Sequence, residues 1–304
     1  MLDALIPQFP QILRGIVILI MFAMGISLTL ADFQRIVKFP KAALLGLGGQ
    51  LFLFPLIGFA LALSLPLKPE IAMGIILIAA CPDGATSNAV SHISKGDVAL
   101  AVTLTAFSSI LNILTIPFIV NLGLELVYGS SASAAIKLDI WDTLKNLFVI
   151  TVLPVIVGMG VRKILLHWSP YGKGYSTKLE NALATVAGVC IIAALIIFAK
   201  QLSLRGNIWD FFLETGPVVI LLNLLTMAIG FGLATLIRLP MKQRVTISIE
   251  AAIQNGTIGI LIANNFLKKP EMATPSMVYG ILMCFISLLV FPLFRKLVRK
   301  STTA

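Results

Sequence analysis

Residues 81–88 read CPDGATSN, and they interrupt a stretch that is otherwise apolar from about 70 to 94. Proline lacks the backbone N–H a helix needs, and glycine costs about 1 kcal/mol relative to alanine in a helix interior, so Pro82 and Gly84 mark a break rather than a continuous helix. A second interruption, IEAAIQNGTIG at 249–259, falls inside an apolar run from 242 to 267. Broken helices expose N–H and C=O groups that lipid cannot satisfy but an ion or polar solute can, so two such breaks point to a binding site at mid-depth in a membrane.

The rest of the chain supplies the membrane context. Of 304 residues, 58% are hydrophobic and 12% charged; a water-soluble domain carries roughly 25% charged residues. The mean hydropathy is +1.00. Apolar runs of about 20 residues, long enough to cross a core ~30 Å thick as helices, recur throughout, without the ten-residue alternation of a membrane β-barrel. The expected fold is therefore an all-α polytopic membrane protein, a single transporter domain over 1–304. Nine transmembrane helices are expected near 9–30, 41–65, 70–94, 98–127, 141–165, 178–199, 210–237, 242–267 and 273–294. The start, MLDALIPQFPQILRG, has no basic leader or small-residue cleavage site, and no removable signal is expected.

The net charge of +10 is best read by position rather than as a nucleic-acid footprint. With the N-terminus outside, most of the 23 basic residues fall on the inner side, among them Arg35, Lys38, Lys41, Lys95, Arg162, Lys163, Arg238, Lys242, Arg244 and the tail RKLVRK at 295–300. Positive-inside bias then gives N-out, C-in, with the tail at anionic lipid headgroups. Cys81, Cys190 and Cys284 are far apart in apolar runs and read as packed small residues. No Walker A, HExxH or Ser/His/Asp set is present, so no enzyme is expected.

IGFALAL at 57–63 returns as IGFGLAT at 229–235, and the same offset of 172 carries Gly84 onto Gly256. The pairing shifts the chain by five spans, an odd number, which reverses membrane orientation. This predicts inverted repeats, the first over 9–127 with four spans and the second over 141–300 with five, as in secondary transporters.

Glu250 is the ionisable residue at the second break. An acidic charge at mid-helix costs about 2.5–3.5 kcal/mol on insertion scales and marks a functional site. Gln254 follows at i+4, on the same face, then Asn255, Gly256 and Thr257. The first break offers Thr86, Ser87 and Asn88; Gln50 and Thr105 lie in neighbouring spans. One carboxylate with hydroxyl, amide and carbonyl oxygens suits Na⁺, and thiolate or imidazole clusters are missing.

CPDGATSN with KGDVALAVTLTAFSS, IEAAIQNGTIG, and MFAMGISLTLADF with FPKAALLG resemble the signature stretches of the bile acid:sodium symporter family, over nearly the whole chain. The resemblance, closest to bacterial members, implies a panel domain, a core domain and two crossing discontinuous helices. It implies Na⁺-driven symport of a small organic solute by alternating access, with bile acids, keto acids, pantoate-like acids and steroid sulfates among the organic anions carried. Two sodium sites are implied, one from Ser87, Asn88, Thr105 and Glu250, the other from Gln50, Glu250 and Gln254 with the carbonyls of Ala251 and Ile253. The solute is expected at Asn255, Gly256, Asp83 and the Ala85/Thr86 region. Bacterial members often have ten spans, so the first is expected to be missing here; the expected location is a bacterial inner membrane.

Two departures from the family pattern stand out. Ala101 replaces a serine one turn before Thr105, removing an oxygen from the first sodium site, which is then weak unless Thr103, Asp83 or water compensates. Asp83 stands where the family commonly has glycine, in CPGG, and Ala85 where a threonine often follows. Asp83 reads as the N-cap of a half-helix starting near Gly84, or as a charge that turns the site toward a neutral, zwitterionic or cationic solute or couples it to protons. Cys81 beside the break keeps open a proton-coupled or arsenite- or auxin-type exporter of related fold.

Overall fold

The computed structural model describes residues 7–84, 86–168 and 208–303, with scattered positions between 182 and 203. The chain is helical almost throughout, and the only extended pairing among the described residues is one isolated antiparallel bridge between Asp83 and Gln254. The helices are α1 (Phe9–Ser27), α2 (Leu30–Lys38), α3 (Pro40–Ser64), α4 (Pro69–Ala80), α5 (Thr86–Ile93) and α6 (Val98–Tyr128). After them come α7 (Ile140–Leu147, continued through Phe148–Val152 into Leu153–Trp168), α8 (Ile208–Leu236), α9 (Met241–Ala252), α10 (Gly256–Phe266) and α11 (Thr274–Thr303).

Six of these are long and apolar enough to cross a membrane, and α4 and α10 are shorter apolar helices. Side chains such as Phe52, Leu56, Phe118 and Leu122 are exposed, a face that lipid rather than water accommodates. The protein is an integral membrane protein. The expected span boundaries agree with the helices within a few residues, except that α11 runs on to Thr303 and the basic tail is its last turns. Between the expected spans 9–30 and 41–65 the chain forms the short helix α2, Leu30–Lys38. The expected span 178–199 lies outside the described residues apart from scattered helical positions.

The chain divides into two compact units. One takes residues up to Thr29 and from Trp141 to Phe211, and its described helices are α1 and α7. These two meet backbone to backbone: a Cβ on Gly25 would stand 2.2 Å from the Val155 carbonyl oxygen, and one on Gly158 2.4 Å from that of Phe22. Small residues at such contacts are how membrane helices gain packing without a hydrophobic driving force between them. Arg162 Nη1 donates to the Ile26 and Ser27 carbonyls at 2.7 and 3.1 Å, closing the end of α1.

The second unit holds α2–α6 and α8–α11, and both sequence breaks. Gly58 of α3 packs on α4, where its Cβ would meet Ala79 at 2.5 Å and the Ile75 carbonyl at 3.4 Å. Gly230 of α8 packs on α9 in the same way, on Ala251 at 3.1 Å and the Ile247 carbonyl at 3.3 Å. Every member of the second set stands 172 residues after its counterpart in the first.

Two helices widen locally for a visible reason. Pro55 and Pro154 have no N–H to give to the carbonyl four residues back, and just before each the helix takes a π turn, with Phe54 N bonded to Gly49 O and Leu153 N to Phe148 O. Gln50 lies in the first of these turns, buried.

Candidate functional site

The two breaks cross each other. Gly84 N donates to Ile253 O at 2.9 Å and Asn255 N to Pro82 O at 2.8 Å, so the chain between α4 and α5 pairs with the chain between α9 and α10 through backbone alone. The helix ends that remain are closed by buried side chains. Ala80 O, at the end of α4, accepts from Asn112 Nδ2 at 3.3 Å, and Cys81 O accepts from Gln50 Nε2 at 2.6 Å. Ala252 O, at the end of α9, accepts from Asn223 Nδ2 at 2.6 Å and from the Tyr279 hydroxyl at 2.8 Å. Asn112, Asn223 and Tyr279 were not among the residues expected to matter. A polar residue in an apolar helix usually turns back on its own chain, as Ser109 does to Thr105 O and Thr226 to Leu222 O, and nothing local separates the two cases.

Glu250, on α9 and 3% exposed, gathers the first expected ion constellation. Its Oε2 accepts from Ser87 Oγ of α5 and from Thr105 Oγ1 of α6, both at 2.9 Å. Thr105 Oγ1 also lies 3.5 Å from Asn88 Oδ1. Ser87, Asn88, Thr105 and Glu250 thus meet from three helices. Among the described residues Glu250 Oε1 has no hydrogen-bond donor, and no lysine, arginine or histidine pairs with Glu250. A buried carboxylate oxygen left so is costly unless a cation reaches it, and the oxygens around it are hard ligands, so the residues fit Na⁺.

The second expected constellation is brought together differently. Gln50 Nε2 donates to Gln254 Oε1 at 2.8 Å, and Gln254 Nε2 returns to Gln50 Oε1 at 3.3 Å and to Ala251 O at 3.2 Å. Ile253 O is taken by Gly84 N. The two glutamines form a reciprocal pair between α3 and the second break, and no hydrogen bond joins either to Glu250.

Asp83 does not cap a helix. The half-helix is described from Thr86, and Ser87 N bonds back to Gly84 O at 2.9 Å, so the first turn starts near Gly84 as expected; the Asp83 carboxylate nonetheless turns to other side chains, and the bridge to Gln254 holds its backbone extended. Its side chain is 3% exposed and lies within hydrogen-bond reach of Glu250 and Ser108, with Oδ1 lacking any donor. Two negative charges so close repel unless a cation or a proton lies between them. Of the other residues expected at the solute, Asn255 is the N-cap of α10, its Oδ1 accepting from Ile258 N at 3.4 Å and from Thr257 Oγ1 at 2.5 Å. Gly256 packs on Ser276, whose carbonyl a Cβ would meet at 2.7 Å. Ala85 lies outside the described residues.

Thr86 does line a cavity of about 410 Å³, together with Val90, Ile253, Met283, Ser287 and Phe291. This is the size of a small-molecule site. Thr86 adjoins Ser87 and Ile253 adjoins Gln254, so the cavity wall is continuous in sequence with both ion constellations.

A family model described as the sodium bile acid symporter family matches residues 15–208. The chain belongs to this family. An uncharacterized sodium-dependent transporter of Bacillus subtilis, YocS, is 30% identical over 264 residues, covering 86% of this chain and 76% of its own length. A probable chloroplast sodium/metabolite cotransporter of rice, BASS2, is 31% identical over 264 residues, covering 85% of this chain and 58% of its own. The human ileal sodium/bile acid cotransporter is 28% identical over 251 residues, 80% of this chain and 66% of that one. The sodium bile acid symporter family is one of transporters, and its membership agrees with a sequence that offers no catalytic constellation.

Proposed function

We propose that the chain is a sodium-coupled symporter of a small organic solute, working by alternating access. The observation that carries this is Glu250, a buried carboxylate at the crossing of two broken helices, held by two hydroxyls with its other oxygen open to a cation. Ser87, Asn88, Thr105 and Glu250 form the first ion site. Gln50, Gln254, Glu250 and the carbonyls of Ala251 and Ile253 form the second, once the glutamine pair turns its oxygens toward an ion. The solute sits against Thr86 and the adjoining cavity. Nine spans in two inverted repeats, N-terminus outside, are the architecture this reading assigns, and the matching contacts of Gly58 and Gly230 support it.

The solute is an organic anion by analogy with the family's named cargo. A second reading, a neutral or zwitterionic solute, is favoured by Asp83, which adds a carboxylate beside Glu250. The exporter alternative has less support, because the Cys81 thiol is buried and bonded to Leu77 O at 3.3 Å in its own helix. Uptake into proteoliposomes tests the proposal, with an inward Na⁺ gradient and a panel of keto acids, pantoate, bile acids and amino acids. Accumulation that follows the Na⁺ gradient supports it; accumulation indifferent to Na⁺ sinks it.

A further inference from the structure

Position 101, one turn before Thr105, is a buried alanine and gives the first ion site no side-chain oxygen. We infer that Asp83 supplies the missing ligand, binding the same cation as Glu250, so that this site is held by two carboxylates. The inference rests on the reading of Glu250 as a sodium ligand and adds a residue that the family pattern does not place there.

The other protein candidate is already committed. Thr103 Oγ1 lies against Asp32 O of α2 at 3.0 Å and Ala99 O at 2.8 Å, and so is placed against α2 and not against Glu250. Asp83 is fixed in place by backbone on both sides, through Gly84 N to Ile253 O and Pro82 O from Asn255 N. Those bonds aim its buried side chain at Glu250 and Ser108 rather than at the cavity. Among the described residues Asp83 Oδ1 and Glu250 Oε1 are both without a donor, and neither carboxylate pairs with a lysine, arginine or histidine. Asn112, one turn beyond Ser108 on α6 and fully buried, presents a further unpartnered Oδ1, its amide being held by Ala80 O. Facing carboxylates, hydroxyls and amide oxygens with no thiolate or imidazole describe a hard monovalent or divalent cation, and Na⁺ is the one the family uses.

The charge of the loaded core follows. Two sodium ions on Glu250 alone leave one positive charge, which an anionic solute balances. With Asp83 as a second ligand the doubly loaded core is neutral, and its solute needs no negative charge.

The test is a thermal-unfolding titration of the purified full chain in detergent, exchanging choline chloride for NaCl at constant ionic strength. Sodium raises the wild-type melting temperature. Asp83→Asn and Asp83→Gly each shift the half-maximal Na⁺ concentration upward about tenfold, the effect of one lost charged ligand. Ala101→Ser, which restores the hydroxyl, recovers most of that loss in the Asp83→Gly background. An Asp83→Asn protein that titrates at the wild-type Na⁺ concentration overturns the inference. Should both Asp83 variants fail to fold, Ala101→Ser alone decides: less than a twofold change supports a site already complete, and a large gain in Na⁺ affinity overturns it. Glu250→Gln separates the two levels. If it keeps the wild-type response, the sodium reading itself fails; if it loses the response while Asp83→Asn keeps it, only the role of Asp83 fails.

Discussion

Glutamine at position 250 would keep the shape of the side chain and the contacts to Ser87 and Thr105 while removing the charge. Glu250→Gln is expected to abolish both the Na⁺-induced rise in melting temperature and gradient-driven uptake, with far-UV circular dichroism unchanged. Thr105→Val removes one of the two hydroxyls on Oε2; hydrogen bonds to charged groups are worth about 1.5–3 kcal/mol, so Na⁺ affinity, followed by the same titration, should fall roughly tenfold or more. The sequence made these residues legible because an ionisable side chain in an apolar span has few structural uses. Asp83 was legible as an oddity at the start of a half-helix, but the neighbours of its side chain, Glu250 and Ser108, were not, because they come from helices distant in the chain.

At the level of elements, composition and hydrophobic length were enough to place helices on most of the expected spans, and glycine with proline was enough to locate both breaks. The means by which the broken ends are satisfied was not readable, since those partners come from helices distant in sequence. Asn223 and Tyr279 both serve Ala252 O and also touch each other at 3.1 Å. Tyr279→Phe and Asn223→Leu should therefore each lower stability by about 1 kcal/mol, since either change leaves Ala252 O with one of its two donors; chemical unfolding in mixed micelles measures both. Gly58→Val would drive a side chain into Ala79 and is expected to cost about 1–3 kcal/mol as overpacking, read as a lower melting temperature irrespective of Na⁺. The π turns were foreshadowed by Pro55 and Pro154, but a proline in a helix can equally produce a kink, and the sequence does not choose between them.

For the whole molecule, the distribution of basic residues leads one to expect the C-terminal end of α11 on the inner side and the turn at 65–68 on the outer side. In a background with the native cysteines replaced, Ser301→Cys is expected to react with a membrane-impermeant maleimide only after the membrane is opened, and Leu67→Cys in intact cells; the reverse pattern would invert the topology. Lys68 and Glu214 make an exposed ion pair at 2.9 Å, and Glu214→Gln should change stability by less than about 1 kcal/mol. The crossing of the breaks sets a further condition on any cycle of transport. Residues 82–84 and 253–255 are stitched by amide and carbonyl groups, not by side chains, so a substitution that changes only a side chain leaves those bonds in place, whereas proline at 84 or 255 would remove one. The crossing is a rivet rather than a hinge: two backbone bonds in opposite directions hold the two breaks at one fixed point.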